Sequence, residues 1–221
     1  FLQSISENYR DMEISFYVGN EMSNLQTARR IWSGGDVLCI DGNVLGFFDI
    51  NGLVAFHKKR RAKFTAASTQ VTDSSENTVF AVENNEKITN IQANPNYENC
   101  STNFAYSGVY IISKEIISQI ALEKELASDV EFMDKLCRKK EEIYAYMDKS
   151  WFQRFNKPSD FLKANQALIK GVKGFDISQL QVSQGVFSEA TGCLRGVSIV
   201  PPVYIGKNVS VGYGSVIESG T

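Results

Sequence analysis

From Phe187 to Thr221 a bulky or apolar side chain recurs at every sixth position: Phe187, Cys193, Ile199, Ile205, Val211 and Ile217. Small or apolar residues sit four positions after each, at Thr191, Val197, Val203, Val209, Ser215 and Thr221. Glycine directly follows two of the anchors, as Gly206 and Gly212. Helices repeat near 3.6 residues and strands on 2, so neither accounts for a period of six. It suits a β-helix of triangular coils, in which the chain turns a corner every six residues and the anchor points inward. At about 18 residues per coil, 187–221 holds about two coils. Two coils bury little and leave an open end, so further coils or a partner are expected beyond Thr221.

Up to residue 170 the pattern is different. The opening "FLQSISENYRDM" reads as a helix end and "EISFYVG" as a strand. "SNLQTARRIWSG" has helical spacing and stops at Gly34-Gly35. "DVLCI" is a continuous apolar run, expected of a strand buried on both faces of a parallel or mixed sheet. A helix over "INGLVAFHKKRRAK", a strand over "FTAASTQV", and two strands joined at Glu83–Glu86 follow. Next come the strand "YSGVYIIS", the helix "KEIISQIAL", and a helix from Asp129 that Ser128 and Glu131 are spaced to cap. The strand "EIYAYMDK" precedes a helix with Pro158 in its first turn and Gly171 at its end. Such alternation predicts an α/β domain over 1–170, a mixed sheet flanked by helices. Residues 171–186 form a linker without periodicity, and 187–221 the coil segment.

Several function classes drop out on composition. A net charge of −2 supplies no field for nucleic acid or an anionic membrane. The run Lys58-Lys59-Arg60-Arg61 is placed to decorate a last helical turn, where cations suit the dipole. Cys39, Cys100, Cys137 and Cys193 form no CxxC pair, so neither a disulfide framework nor a zinc site is expected. Cys39 and Cys137 fall in apolar patterns as small core residues. One histidine, His57, reads as structural rather than catalytic. With no 18-residue apolar span and no signal peptide, a cytoplasmic setting is expected. An acyltransferase working through the coils would need a histidine base there, and 172–221 contains none.

The strand "VLCI" ends in Asp41-Gly42-Asn43 before apolar residues resume. Such a corner is either a catalytic strand tip or a tight turn. In an open α/β sheet, ligands gather beyond strand ends of this kind.

Three stretches carry a resemblance. "NLQTARRIWSGGDVLCIDGNVLGFFDINGLVAFHKKR" is similar to an L-G-T-A-G-A helix, a strand ending in N-G-D, and a helix carrying a histidine. "KITNIQANPN" with "FAYSGVYII" is similar to V-x-x-F-x-E-K-P followed by N-A-G-I-Y. "YAYMDKSWFQRFNKPSDFLKANQALI" is similar to W-x-D-I-G-T-P-x-D-Y-L-x-A-N. In this order, with hexapeptide coils behind them, they resemble the sugar-1-phosphate nucleotidyltransferases, such as mannose-1-phosphate guanylyltransferases. The resemblance implies an incomplete Rossmann-like, glycosyltransferase-A-like sheet followed by the start of a left-handed β-helix. The glycine-rich loop of such proteins would lie upstream of Phe1.

The reaction implied is NTP plus sugar-1-phosphate giving NDP-sugar plus pyrophosphate, helped by Mg²⁺ on two aspartates and a lysine on the sugar phosphate. Leu25, Thr27, Ala28 and Gly42 match nucleotide-binding positions, and Pro95 and Gly108 match the sugar-phosphate region. The two metal-aspartate positions hold Asn43 and, counted from Trp151, Gln153; Asp41 is the remaining candidate metal ligand. E-K-P is Ala93-Asn94-Pro95, and N-A-G is Tyr106-Ser107-Gly108. Sheet-building positions are kept while phosphate- and metal-touching ones are substituted. The resemblance therefore points to a relative that binds NTP or sugar-1-phosphate with impaired catalysis, or that regulates a partner. Its alternative is an active pyrophosphorylase completed by an upstream segment. Homo- or hetero-oligomers through the coils are expected.

Overall fold

The computed structural model describes residues 24–96, 100, 102–120, 128–190 and 195–221. The helix end and strand expected over 1–19, together with Thr191 and Cys193, lie outside them. A mixed sheet forms the centre. β3 (Phe64–Gln70) and β6 (Phe104–Ile112) are antiparallel neighbours, from Phe64 opposite Ile112 to Gln70 opposite Phe104. β7 (Ile143–Met147) runs parallel to β3, and β4 (Thr78–Val82) and β5 (Ile88–Ala93) make the predicted hairpin. The strand order is β5-β4-β6-β3-β7.

β1 (Val37–Ile40) completes the sheet by pairing antiparallel with β6, from Val37 opposite Ile112 to Ile40 opposite Val109. β4 meets the same edge farther along, at Val79 opposite Ala105. Two strands thus share one edge of β6, and a break separates them. The expectation that "DVLCI" is buried on both faces is corrected here: Leu38 is 39% exposed and Ile40 54%. Val37 and Cys39 pack on the core, but α2 (Ile50–Arg60) lies over β3 and β6 and leaves β1 open on its other face.

Alternation along the strands sorts the core into two layers. On one face Phe64, Ala66, Phe80, Tyr110, Ile112 and Ile143 pack with Leu25 of α1 (Asn24–Ile31) and with Met133 and Leu136 of α4 (Asp129–Arg138). On the other, Ala67, Val109 and Ile111 meet Leu53 of α2. Asp49 caps α2 by accepting from Gly52 N–H, and Ser128 caps α4 by accepting from Glu131 N–H at 3.1 Å. The helix expected over "KEIISQIAL" is a single turn, α3 (Lys114–Ile117), with Ile116, Ile117 and Ile120 buried. His57 is buried and bonded to Thr65 at 2.8 Å, which is the structural role expected of it. Cys39, Cys100 and Cys137 are free thiols.

α5 (Pro158–Lys170) begins and ends at the proline and glycine that mark it in the sequence. The segment read as a linker without periodicity holds a 3₁₀ turn (Ser178–Leu180) and β9 (Gln181–Ser183), which hairpins with β10 (Val186–Ser188). β10 then pairs parallel with β12 (Val203–Ile205), placing Val186 beside Val203. β11 (Ser198–Ile199) pairs parallel with β13 (Val216–Ile217), placing Ile199 beside Ile217. Each parallel step returns the chain to its own side after 17 or 18 residues. Val186, Val203 and Ile205 are buried, whereas Val200, Val209, Tyr213 and Val216 face outward.

Candidate functional site

The Asp41-Gly42-Asn43 corner stands at the break on the β6 edge, where β1 stops and β4 has not begun. Asp41 N–H donates to the Gly108 carbonyl at 2.9 Å, pinning the corner to the middle of β6. Gly108 has φ +87°, a conformation that glycine adopts without the strain a side chain would bring. The chain turns at Gly42-Asn43, with Val44 N–H on the Asp41 carbonyl, and enters β2 (Val44–Gly46).

β2 makes a two-stranded ribbon with β8 (Phe152–Arg154), antiparallel, with Val44 opposite Arg154 and Leu45 opposite Gln153. Phe155 N–H on the Asn43 carbonyl at 2.8 Å extends the pairing to the corner itself. This register decides what enters the site. Gln153 turns its amide onto the Arg154 carbonyl at 2.9 Å. Arg154 sends its guanidinium into the corner, where Nη1 donates to Asp41 Oδ2 at 2.8 Å and to Asn43 Oδ1 at 3.4 Å. The Asn43 amide in turn donates to Asn156 Oδ1 at 3.2 Å and to the Phe155 carbonyl at 3.4 Å.

Two further groups enclose the guanidinium. Its carbon lies 5.8 Å from the centre of the Tyr106 ring, within cation–π reach. A Cβ at Gly108 would lie 2.6 Å from Nη2 and 2.8 Å from Asp41 Oδ2, so the missing side chain makes the room. The Tyr106 hydroxyl donates to Asp129 Oδ2 at 2.6 Å. Burial, then the charge of Asp129, pushes its pKa up, and it stays a phenol. The Asp41–Arg154 pair is 13% and 25% exposed, sheltered enough for the charges to be only partly screened.

Outside the pair the cleft opens into a polar groove of about 550 Å³ lined by Asp73, Asn77, Gln153, Arg154 and Lys163 among others. A smaller pocket of about 210 Å³, lined by Asp41, Asn94, Tyr106, Asp129 and Arg154, adjoins it. Arg154, Glu76, Asn77, Asn94 and Asn156 line both. Lys157 and Lys163 close on Glu76 at 2.5 and 3.0 Å along the rim. Asp160 accepts from the N–H groups of Asn156 and Lys157, which ties the start of α5 to the site.

Asp41, Asn43 and Gly108 therefore meet around one guanidinium, and Gly42 forms the turn between the first two. Pro95 is buried beside Asn94, which faces the cleft. Leu25 is fully buried and Ala28 packs on the same core, and with Thr27 they lie away from the cleft lining. Sequence reasoning passed over Arg154, Asn156 and Asp129. One signal for Arg154 was available. Counted back from Pro158-Ser159-Asp160, the acid of W-x-D falls on Arg154; counted forward from Trp151, it falls on Gln153. The two counts differ by one residue, and one residue in a strand changes the face.

The family described as nucleotidyl transferase matches residues 17–171. A protein of Sulfolobus acidocaldarius named "Putative mannose-1-phosphate guanyltransferase" is 25% identical over 184 residues, covering 83% of this chain and 47% of its own length. The mannose-1-phosphate guanylyltransferase of Mycobacterium tuberculosis is 19% identical over 182 residues, covering 82% and 50%. The chain thus spans about half the length of the curated relatives it matches. A crystal structure of apo UDP-glucose pyrophosphorylase superposes with a TM-score of 0.58 at 18% identity, over 74% of this chain and 66% of that one.

Proposed function

The chain belongs to the nucleotidyl transferase family, and on that premise we propose that its cleft is of the sugar-1-phosphate nucleotidyltransferase type, able to hold an NTP or sugar-1-phosphate but impaired in catalysis. The relatives named for mannose-1-phosphate guanylyl transfer support the substrate class. The impairment is carried by one observation, the arginine–aspartate pair at the β1 corner.

In-line attack on an α-phosphorus builds negative charge on the departing pyrophosphate, and in this family Mg²⁺ offsets it. The residues of the corner do not fit that ion. Mg²⁺ needs near-octahedral oxygen ligands and binds through one or two carboxylates. Asn43 offers an amide, and Asp41 already carries a guanidinium. A double charge about 4 Å from that guanidinium would be repelled by on the order of 8 kcal/mol at an effective dielectric near 20. What remains is recognition: Asn77, Asn94, Asn156 and Lys163 line the groove with polar side chains suited to a polar ligand.

The 17- and 18-residue returns of the tail support its reading as the first coils of a β-helix, through which copies or partner subunits associate. No helix among the described residues is long and apolar enough to cross a membrane; three free thiols support a reducing, cytoplasmic setting.

The test is pyrophosphate release with Mg²⁺ across pairs of NTP and sugar-1-phosphate, run beside ligand-induced thermal shift. A rise in melting temperature without turnover is expected. Turnover by the unaltered protein would overturn the impaired reading.

A further inference from the structure

The corner has the makings of a cation site. Asp41 Oδ2 and Asn43 Oδ1 converge from one side, the Tyr106 ring face closes another, and Gly108 withholds a side chain from the space between. The cation inside belongs to the chain. We infer that Arg154 is a tethered replacement for the divalent ion, so that the corner is held by a fixed guanidinium and is closed to metal. This rests on the reading of the cleft given above and adds how its charge is supplied.

Three features support a built arrangement over a chance surface contact. The guanidinium arrives by strand register: Val44 stands opposite Arg154 and Phe155 N–H bonds the Asn43 carbonyl, which sets the side of the ribbon from which the side chain leaves. Its bonds span 111 and 113 residues of sequence, so the pair also ties the ribbon to the sheet. Glycine at 108 is the residue that fits: any Cβ there would strike both Arg154 and Asp41. A guanidinium is planar, remains charged at every accessible pH, and meets oxygens at fixed angles. A divalent ion must also shed water and is bound more tightly as ligand charge increases. Replacing the ion by arginine makes the corner independent of metal supply and removes the mobile double charge that phosphoryl transfer uses.

The experiment titrates Mn²⁺, a paramagnetic probe of hard-oxygen sites, into the protein without nucleotide or sugar phosphate. Free Mn²⁺ is read by electron paramagnetic resonance. The unaltered protein and Arg154→Lys, which keeps a cation, are expected to leave the free Mn²⁺ signal unchanged. The double variant Asn43→Asp with Arg154→Asn restores acid and removes the cation; it is expected to take up one equivalent of Mn²⁺ and lower the free signal by that amount. The inference fails if the unaltered protein binds an equivalent of Mn²⁺ that Asp41→Asn abolishes. It also fails if the double variant, with native circular dichroism, binds no more tightly than the unaltered protein. The titration of the unaltered protein decides the first outcome even if the double variant does not fold. Turnover in the presence of chelator would defeat the impaired reading and leave this inference standing, so the two failures are separable.

Discussion

The α/β body and the coil tail hold themselves together in different ways. In the body, Phe64, Tyr110, Phe80, Leu53, Ile112 and Met133 are fully buried, on a sheet packed by α1 and α4 on one face and, away from β1, by α2 on the other. Phe64 and Tyr110 stack with centroids 4.9 Å apart and planes 15° from parallel. Among the described tail residues, Val186, Val203 and Ile205 are the buried apolar ones, and Tyr213 is 90% exposed. Among the described residues, the segment before the coils touches the body where the Phe175 and Phe47 rings lie 6.1 Å apart, and the coils do so where Gly220 lies against Gln166. A sheet between helices gains stability from volume filled, whereas stacked coils gain it from repetition. A strong periodic signal is therefore no measure of how much holds a segment in place.

That contrast can be broken. Phe64→Ala should cost about 3–5 kcal/mol, because a cavity beside Tyr110 cannot collapse between covered faces. Urea unfolding followed by near-ultraviolet circular dichroism checks it; a loss below about 1 kcal/mol would put the body on the same footing as the tail. Ile205→Ala should cost about 2 kcal/mol, at the low end for such a truncation, because neighbouring coils have little packed around them to lose. Limited proteolysis should then cut the tail faster while the unfolding midpoint of the body stays put. Equal loss in both regions would show that tail and body unfold as one unit.

The smallest effect is a pH response confined to the body. Burial lowers the pKa of His57 below its ordinary 6.5, while Asp36 and Glu115 pull it part of the way back. The folded state therefore binds this proton less readily than the unfolded state. Stability is full above pH 6.5 and declines as pH falls through that value toward the folded pKa, where it levels off. His57→Gln should flatten the slope of the unfolding midpoint between pH 7.5 and 5.5. The tail, with no histidine between 172 and 221, should show no such slope in proteolysis. A slope unchanged by His57→Gln would assign the response to other groups.

Much of this architecture was legible because it is local. Apolar spacing marked α1, α2, α4 and α5, and Ser128, Pro158 and Gly171 marked their ends where the backbone needs them. The expectation for β1 failed because an apolar run reports that a strand prefers burial, and cannot say whether its neighbour is another strand or solvent. The short ribbon of β2 and β8 was missed because three residues carry no period. The site depends on that ribbon.

The order of elements and the six-residue beat of the tail were written in neighbouring residues, since helix, strand and corner are each decided within a few positions. The identity of the group facing Asp41 was decided only in three dimensions. Gln153 and Arg154 are adjacent in the chain, yet the pairing of β8 with β2 sends one side chain back to its own backbone and the other to Asp41. Strand register couples segments more than a hundred residues apart, and a shift by one residue exchanges the faces.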